Sequence, residues 1–258
     1  MISTSPTSGG KGRGTVRLWS VSLWLVIWEV AAVAIGQDIL LVSPVAVLRR
    51  LSELVLAGSF WRSVLFSFLR IAGGFSLATL LGTLLAIASN RFKNVEMLLA
   101  PLIQTIKATP VASFVILILI WVPSRNLSVV ISFLMVLPIM YTNVLAGIRS
   151  ADRQLLEMAD VFHVPAWKRL RYIYVSQVLP FFRSACSVAL GLSWKSGIAA
   201  EVIGIPIGSI GEKLYQAKIY LDTPDLFAWT LVVIVVSVCF EKLFLAVVDA
   251  IVGKLERM

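Results

Sequence analysis

Residues able to do chemistry are few in this chain and unevenly placed. The one histidine is His163, so neither a Ser-His pair nor a paired-His metal centre can be built within the apolar blocks. Cys186 and Cys239 each fall inside an apolar block and read as small buried hydrophobes rather than a disulfide framework or metal site. Gly208-Ser209-Ile210-Gly211-Glu212-Lys213 lacks the spacing and the following Ser/Thr of a nucleotide phosphate loop. No catalytic residue and no metal ligand is therefore assigned, although carboxylate chemistry stays open. What remains is charge in apolar surroundings: Lys107, Lys195 and Glu201. A charge at the centre of a bilayer costs about 2.5–3.5 kcal/mol on insertion scales, so such groups face a cavity or a partner. Two cations beside one carboxylate leave a positive excess, which is the chemistry that attracts a small anion in a low-dielectric passage. An interhelical ion pair or a carbonyl contact is the alternative for Lys195, and Glu29 and Arg70 suit snorkelling to the interface.

The elements that position these groups follow from composition. The chain is 59% hydrophobic and 14% charged, against about 25% charged for an ordinary globular domain. Its mean hydropathy is +0.91. An all-α, polytopic membrane protein is expected, with six spans: Leu18 to Gly36, Ile71 to Ser89, Met97 to Val122, Leu127 to Gly147, Phe182 to Ala200 and Leu226 to Val248. The third is interrupted at Lys107, Thr109 and Pro110, and a broken helix at membrane depth persists only against protein or a water-filled cavity. Residues 1–17, rich in Ser, Thr, Gly and Pro, are expected to form a disordered cytoplasmic tail, and 18–258 a single membrane domain. Glu29 and the later spans argue against a cleaved leader. No internal repeat is visible, which weakens an inverted-repeat secondary transporter.

Six spans put both termini on one side. That side carries fourteen Lys and Arg in the tail, the Arg91/Lys93 loop, residues 149–183 and the C-terminus, and the other carries seven. The bias places the termini in the cytoplasm, although Arg49 to Arg70 form a basic cluster outside. The net charge of +9 then reads as topology and contact with membrane lipid, not nucleic-acid binding.

The longest cytoplasmic loop, residues 150–175, contains an amphipathic helix over Arg153 to Phe162. Leu155, Met158, Ala159 and Phe162 fall on one face, and Arg153, Glu157 and Asp160 on the other. Ser150 or Asp152 can cap its start, His163-Val164 breaks it, and Pro165 opens a second helix through Trp167, Leu170 and Tyr174. Such a helix pair can rest on lipid headgroups or dock on a partner.

This segment resembles the Glu-Ala-Ala loop of ABC importer permeases, with Glu157-Met158-Ala159 at its start and Val178-Leu179-Pro180 at its end. His163 stands where that family has a glycine needing positive φ, a conformation in which His is among the enriched residues. Ser43-Pro44, Lys107-Ala108-Thr109-Pro110 and Ala199-Ala200-Glu201 are similar to the nitrate/sulfonate/taurine branch. The resemblance implies a type I ABC importer permease fold in a bacterial-type inner membrane. It also implies a homodimer, an extracytoplasmic substrate-binding protein, and separate ABC ATPase subunits that hold ATP and Mg, this chain binding no cofactor. The implied ATPase-coupling residues are Leu155, Glu157, Met158, Ala159, Asp160, Phe162 and His163, and the pathway candidates Lys107, Lys195 and Glu201. The cargo implied is a small oxyanion such as a sulfonate, taurine or nitrate, with a vitamin precursor (a thiamine pyrimidine or riboflavin) as the competing reading. An ATP-independent secondary transporter would need no docking helix.

Overall fold

A computed structural model describes residues 13–37 and 39–256. It is helical, with no strand among the described residues. The order is α1 (Arg13–Ile35), α2 (Pro44–Val55), α3 (Gly58–Arg91), α4 (Lys93–Ala108), α5 (Val111–Ile118), α6 (Ser124–Arg149), α7 (Arg153–Val161), α8 (Ala166–Arg169), a π-helical turn (Leu170–Val175), α9 (Ser176–Gly204), α10 (Ile210–Ile219) and α11 (Thr223–Glu256).

Among the described residues, α3, α6, α9 with its leading turns, and α11 are each long and apolar enough to cross a bilayer. The helices α4 and α5 pass the same test only when taken together, and they bend by 104° at Thr109-Pro110, the geometry of a broken span or of a re-entrant loop. The apolar part of α1, Trp19–Ile35, falls a little short of the usual span of about 20 residues. Of the six expected spans, four are matched by helices long and apolar enough to cross, the third is a bent pair, and the first is an apolar helix shorter than a usual span. Of the tail expected to be irregular through residue 17, residues 1–12 lie outside the described residues and α1 already begins at Arg13.

Two spans begin earlier than hydropathy alone indicates. The one expected from Ile71 starts at Gly58, so Arg62 and Arg70 ride on an extension of α3. The one expected from Phe182 is continuous from Ala166 to Gly204. The separate second helix expected in the loop is therefore the base of a 39-residue rod. Helical hydrogen bonding does not stop where side chains turn polar, so both helices run past the apolar core.

The core is a three-helix sandwich with α6 between α3 and α9. Phe75, Val136, Met140, Cys186 and Leu190 are all buried there. Small residues let the backbones approach: a Cβ on Gly82 would lie 2.9 Å from Met140 Cβ, and one on Gly74 only 2.4 Å from the Val129 carbonyl oxygen. In lipid, such close packing and interhelical polar contacts replace the hydrophobic drive of water. Tyr141 accordingly donates to Ser89 Oγ at 3.0 Å, and Ser132 to the Ser193 carbonyl at 3.1 Å. Phe240 of α11 packs among Phe68, Phe75 and Trp194 to close the opposite flank. Outside this body, α2 starts with Ser43 accepting from Ala46 N at 3.2 Å and Pro44 in its first turn. Arg50 then ties α2 to α11 through Asp225 at 2.9 Å.

Candidate functional site

The loop between α6 and the rod builds a projecting knob. Asp152, not Ser150, caps α7: its Oδ1 accepts from Gln154 N at 2.8 Å, while its own N–H donates to Gln177 Oε1 at 2.7 Å. The helix ends at Val161, with His163 at φ +50°. The His163 N–H donates to the Asp160 carbonyl at 3.1 Å and the Val164 N–H to the Ala159 carbonyl at 2.9 Å. This paired closure of a helix end needs a left-handed residue, and here His takes the place usually given to glycine.

Arg169, at the base of the rod, grips that end. Its guanidinium donates to Asp160 Oδ1 at 2.5 Å and reaches the Ala159 and Val164 carbonyls at 3.4 and 3.3 Å. A cation at a helix C-terminus also opposes the helix dipole favourably. Nine residues separate Asp160 from Arg169 across the Pro165 turn, so helical spacing does not pair them.

The expected apolar face divides in two. Ala159 is buried and belongs to the seat of the helix, so it is not part of the outward surface. Leu155, Met158 and Phe162 are exposed, Phe162 at 74%. Val161 and Trp167, which lie outside the expected face, are similarly open at 74% and 70%. Glu157 is exposed and pairs with Arg153 one turn earlier at 3.3 Å, a surface contact of small energy. Asp160 is engaged by Arg169, so its carboxylate holds the knob together. Exposed aromatic and aliphatic groups clustered on a polar projection mark a contact surface.

A second feature lies among the apolar helices. The bend between α4 and α5, together with Pro138 of α6, leaves a hollow of about 370 Å³. Lys107, Thr109, Pro110, Met135, Pro138 and Leu192 are among its walls. Helical hydroxyls nearby turn back onto their own backbone: Thr109 Oγ1 donates to the Thr105 carbonyl at 2.8 Å and Thr142 Oγ1 to the Pro138 carbonyl at 2.7 Å. Lys195 is exposed three residues beyond Leu192, on the same face of α9. Lys107 is likewise exposed, and neither lysine has an ion-pair partner among the described residues.

Glu201 is not in this hollow. It is fully buried, and Oε2 accepts from Ser67 Oγ at 2.6 Å and Gly211 N at 3.3 Å. Lys107 thus lines the hollow and Lys195 lies about one helical turn from its wall at Leu192, while Glu201 is sealed into a junction of α3, α9 and α10. Arg70 also makes a structural contact, donating from Nε to the Arg125 carbonyl across the start of α6. A larger cavity of about 770 Å³ opens on another flank, between α3, α6, the rod and α11, and it touches neither lysine.

Comparison with known proteins agrees with this geometry. SsuC of Bacillus subtilis (strain 168), described as an aliphatic sulfonates transport permease, is 26% identical over 83% of this chain and 78% of its own length. The riboflavin transport system permease RibX of Chloroflexus aurantiacus is 27% identical over 81% of this chain and 78% of its own. The taurine transport system permease TauC of Escherichia coli (strain K12) is 23% identical over 88% of this chain and 85% of its own. A solved chain of an amino acid ABC transporter with histidines shares the fold, with a TM-score of 0.52, 18% identity, and coverage of 80% of this chain and 96% of that one. Residues 78–257 match the model of the binding-protein-dependent transport system inner membrane component, and the chain belongs to that family of ABC importer permeases.

Proposed function

We propose that this permease carries a small oxyanion, of the sulfonate, taurine, nitrate or bicarbonate kind, delivered by an extracytoplasmic binding protein and driven by separate ATPase subunits. The observation that carries the reading is the pair of exposed cations without an ion-pair partner among the described residues, Lys107 at the α4–α5 bend and Lys195 one turn beyond Leu192, which walls the same hollow. Unpaired cations at membrane depth are retained where something anionic passes. Relatives named for sulfonate, taurine and bicarbonate transport support the same cargo class.

In this reading two copies form a homodimer whose pathway runs between the hollows. The α7 knobs face the cytoplasm, as do both termini, in keeping with the Lys and Arg bias. Leu155, Met158, Val161 and Phe162 enter a groove on each ATPase, with Glu157 at the edge of the contact and His163 setting the turn. ATP and its Mg are held by the ATPase subunits. Closure of the ATPase dimer pulls the knobs and tilts the rods, turning the pathway outward, and hydrolysis resets it. The cations lower the barrier for the anion without forming a tight site, since a strong one would trap it.

The test is uptake by the full transporter in proteoliposomes. ATP-dependent accumulation of a sulfonate, nitrate or bicarbonate is expected, falling several-fold in Lys195→Met at equal binding-protein occupancy, as loss of about 1 kcal/mol of charge stabilisation in a partly wet passage requires. Uptake of riboflavin or a thiamine pyrimidine with no anion flux overturns the cargo, and accumulation without ATP overturns the coupling. An unchanged anion flux in Lys195→Met removes Lys195 from the pathway.

A further inference from the structure

We infer that Glu201 is a positioning residue that latches the outer helix α10 to the rod carrying the coupling knob, so that the two faces of the permease move together. The inference rests on the orientation given under Proposed function. The rod from Ala166 to Gly204 is one continuous helix through its π turn. Near its start Arg169 holds the end of α7, and one turn before its finish stands Glu201.

The geometry at that far end is specific. Oε2 of Glu201 accepts from Ser67 Oγ at 2.6 Å and from Gly211 N at 3.3 Å, and Ser67 Oγ in turn accepts from Ile210 N at 2.9 Å. Ile210 and Gly211 are the first two residues of α10. Their N–H groups have no acceptor within α10, and here α9 and α3 supply one. Ser209 caps the next turn, accepting from Glu212 N at 2.9 Å. Backbones meet at this point: a Cβ on Gly211 would lie 2.3 Å from Glu201 Cβ and 2.4 Å from its carbonyl carbon.

The covalent connection alone does not fix α10. Residues 205–209 form a short loop with left-handed turns at Ile205 (φ +45°) and Gly208 (φ +83°). Swinging α10 away would leave the Ile210 and Gly211 amides without acceptors and take one of the two donors from the buried Glu201 carboxylate, which would keep only Ser67; that is costly in a dry interior. The latch therefore holds as a unit or releases as a unit. A tilt of the rod is transmitted to α10, and the exposed Ile207, Tyr220 and Leu221 lie in the turns that flank it.

The experiment uses the full transporter, with its ATPase and binding protein, in nanodiscs. ATPase rates are measured with and without binding protein for wild type, Glu201→Ala, Glu201→Gln and Ser67→Ala. Glu201→Ala is expected to assemble and keep its basal rate while stimulation by binding protein falls roughly tenfold, the scale of one buried hydrogen-bonded contact. Glu201→Gln keeps an acceptor oxygen and should retain most of the stimulation. Ser67→Ala removes only the relay hydroxyl and should lose stimulation roughly threefold, and it decides the matter if Glu201→Ala does not assemble. Wild-type stimulation in both Glu201→Ala and Ser67→Ala overturns the latch. So does equal loss in Glu201→Ala and Glu201→Gln, which would make charge rather than the hydrogen-bonded link the important property. Absence of stimulation in the wild type itself counts against the proposed function, not the latch.

Discussion

Replacing Phe162 by alanine should weaken ATPase binding without weakening the permease. The side chain is 74% exposed, so little of it is engaged within this chain. A phenylalanine buries about 150–250 Å² when fully covered, which leaves roughly 110–190 Å² free for a partner. At about 25 cal/mol per Å² that area is worth roughly 3–5 kcal/mol. Alanine keeps part of the contact and docking carries an ordering cost, so about 2–3 kcal/mol should be lost per knob. This corresponds to roughly a 30- to 150-fold rise in Kd. Stability of the permease alone should change by less than about 0.5 kcal/mol, as expected for an exposed position. The assay is association of purified ATPase with detergent-solubilised permease, run beside thermal unfolding of the permease. An unchanged Kd refutes the docking role, and a weaker Kd that merely follows a lower Tm refutes the division between outward face and seat.

His163 offers a test of local geometry: a left-handed conformation costs an ordinary residue about 1–2 kcal/mol, so His163→Val should shorten the protease lifetime of the α7 turn while His163→Gly preserves or lengthens it. Equal lifetimes for the two variants would remove the positive φ from the account. At the seam between α3 and α6, Gly82→Leu drives a side chain into Met140 and the Tyr141 backbone. Overpacking of this kind costs about 1–3 kcal/mol, and an unaltered Tm would show that the seam yields. For topology, a cysteine at position 160 should react with an impermeant reagent only in inside-out vesicles, and labelling from outside intact cells reverses the assignment.

Membrane class, helical architecture and the place of the amphipathic loop helix can be read from the residues because each is written in local pattern. Apolar runs define spans, and Ser150 or Asp152 marks a helix start, which the structure gives to Asp152; the left-handed turn at His163 is indicated only by the resemblance to a family glycine, and His163 has φ +50°. The broken α4–α5 span is equally legible, since Pro110 has no N–H to continue the helix. Other features arise only when distant segments meet. Hydropathy places the fifth span at Phe182, but hydrogen bonding carries the helix back to Ala166 through polar residues. Helical periodicity puts Ala159 on a face with Met158 and Phe162, but it cannot say which edge of that face rests on the body. Arg169 finds Asp160 across a proline turn, outside any helical spacing. Glu201 shows the division most clearly. Sequence identifies a carboxylate near the end of an apolar helix and, by proximity, suggests a pathway with Lys195. Its actual partners are a serine 134 residues earlier and an amide ten residues later, brought together by packing of α3 and α10 on α9. The energetic cost of a buried charge requires some partner, but only the tertiary fold decides which one is within reach.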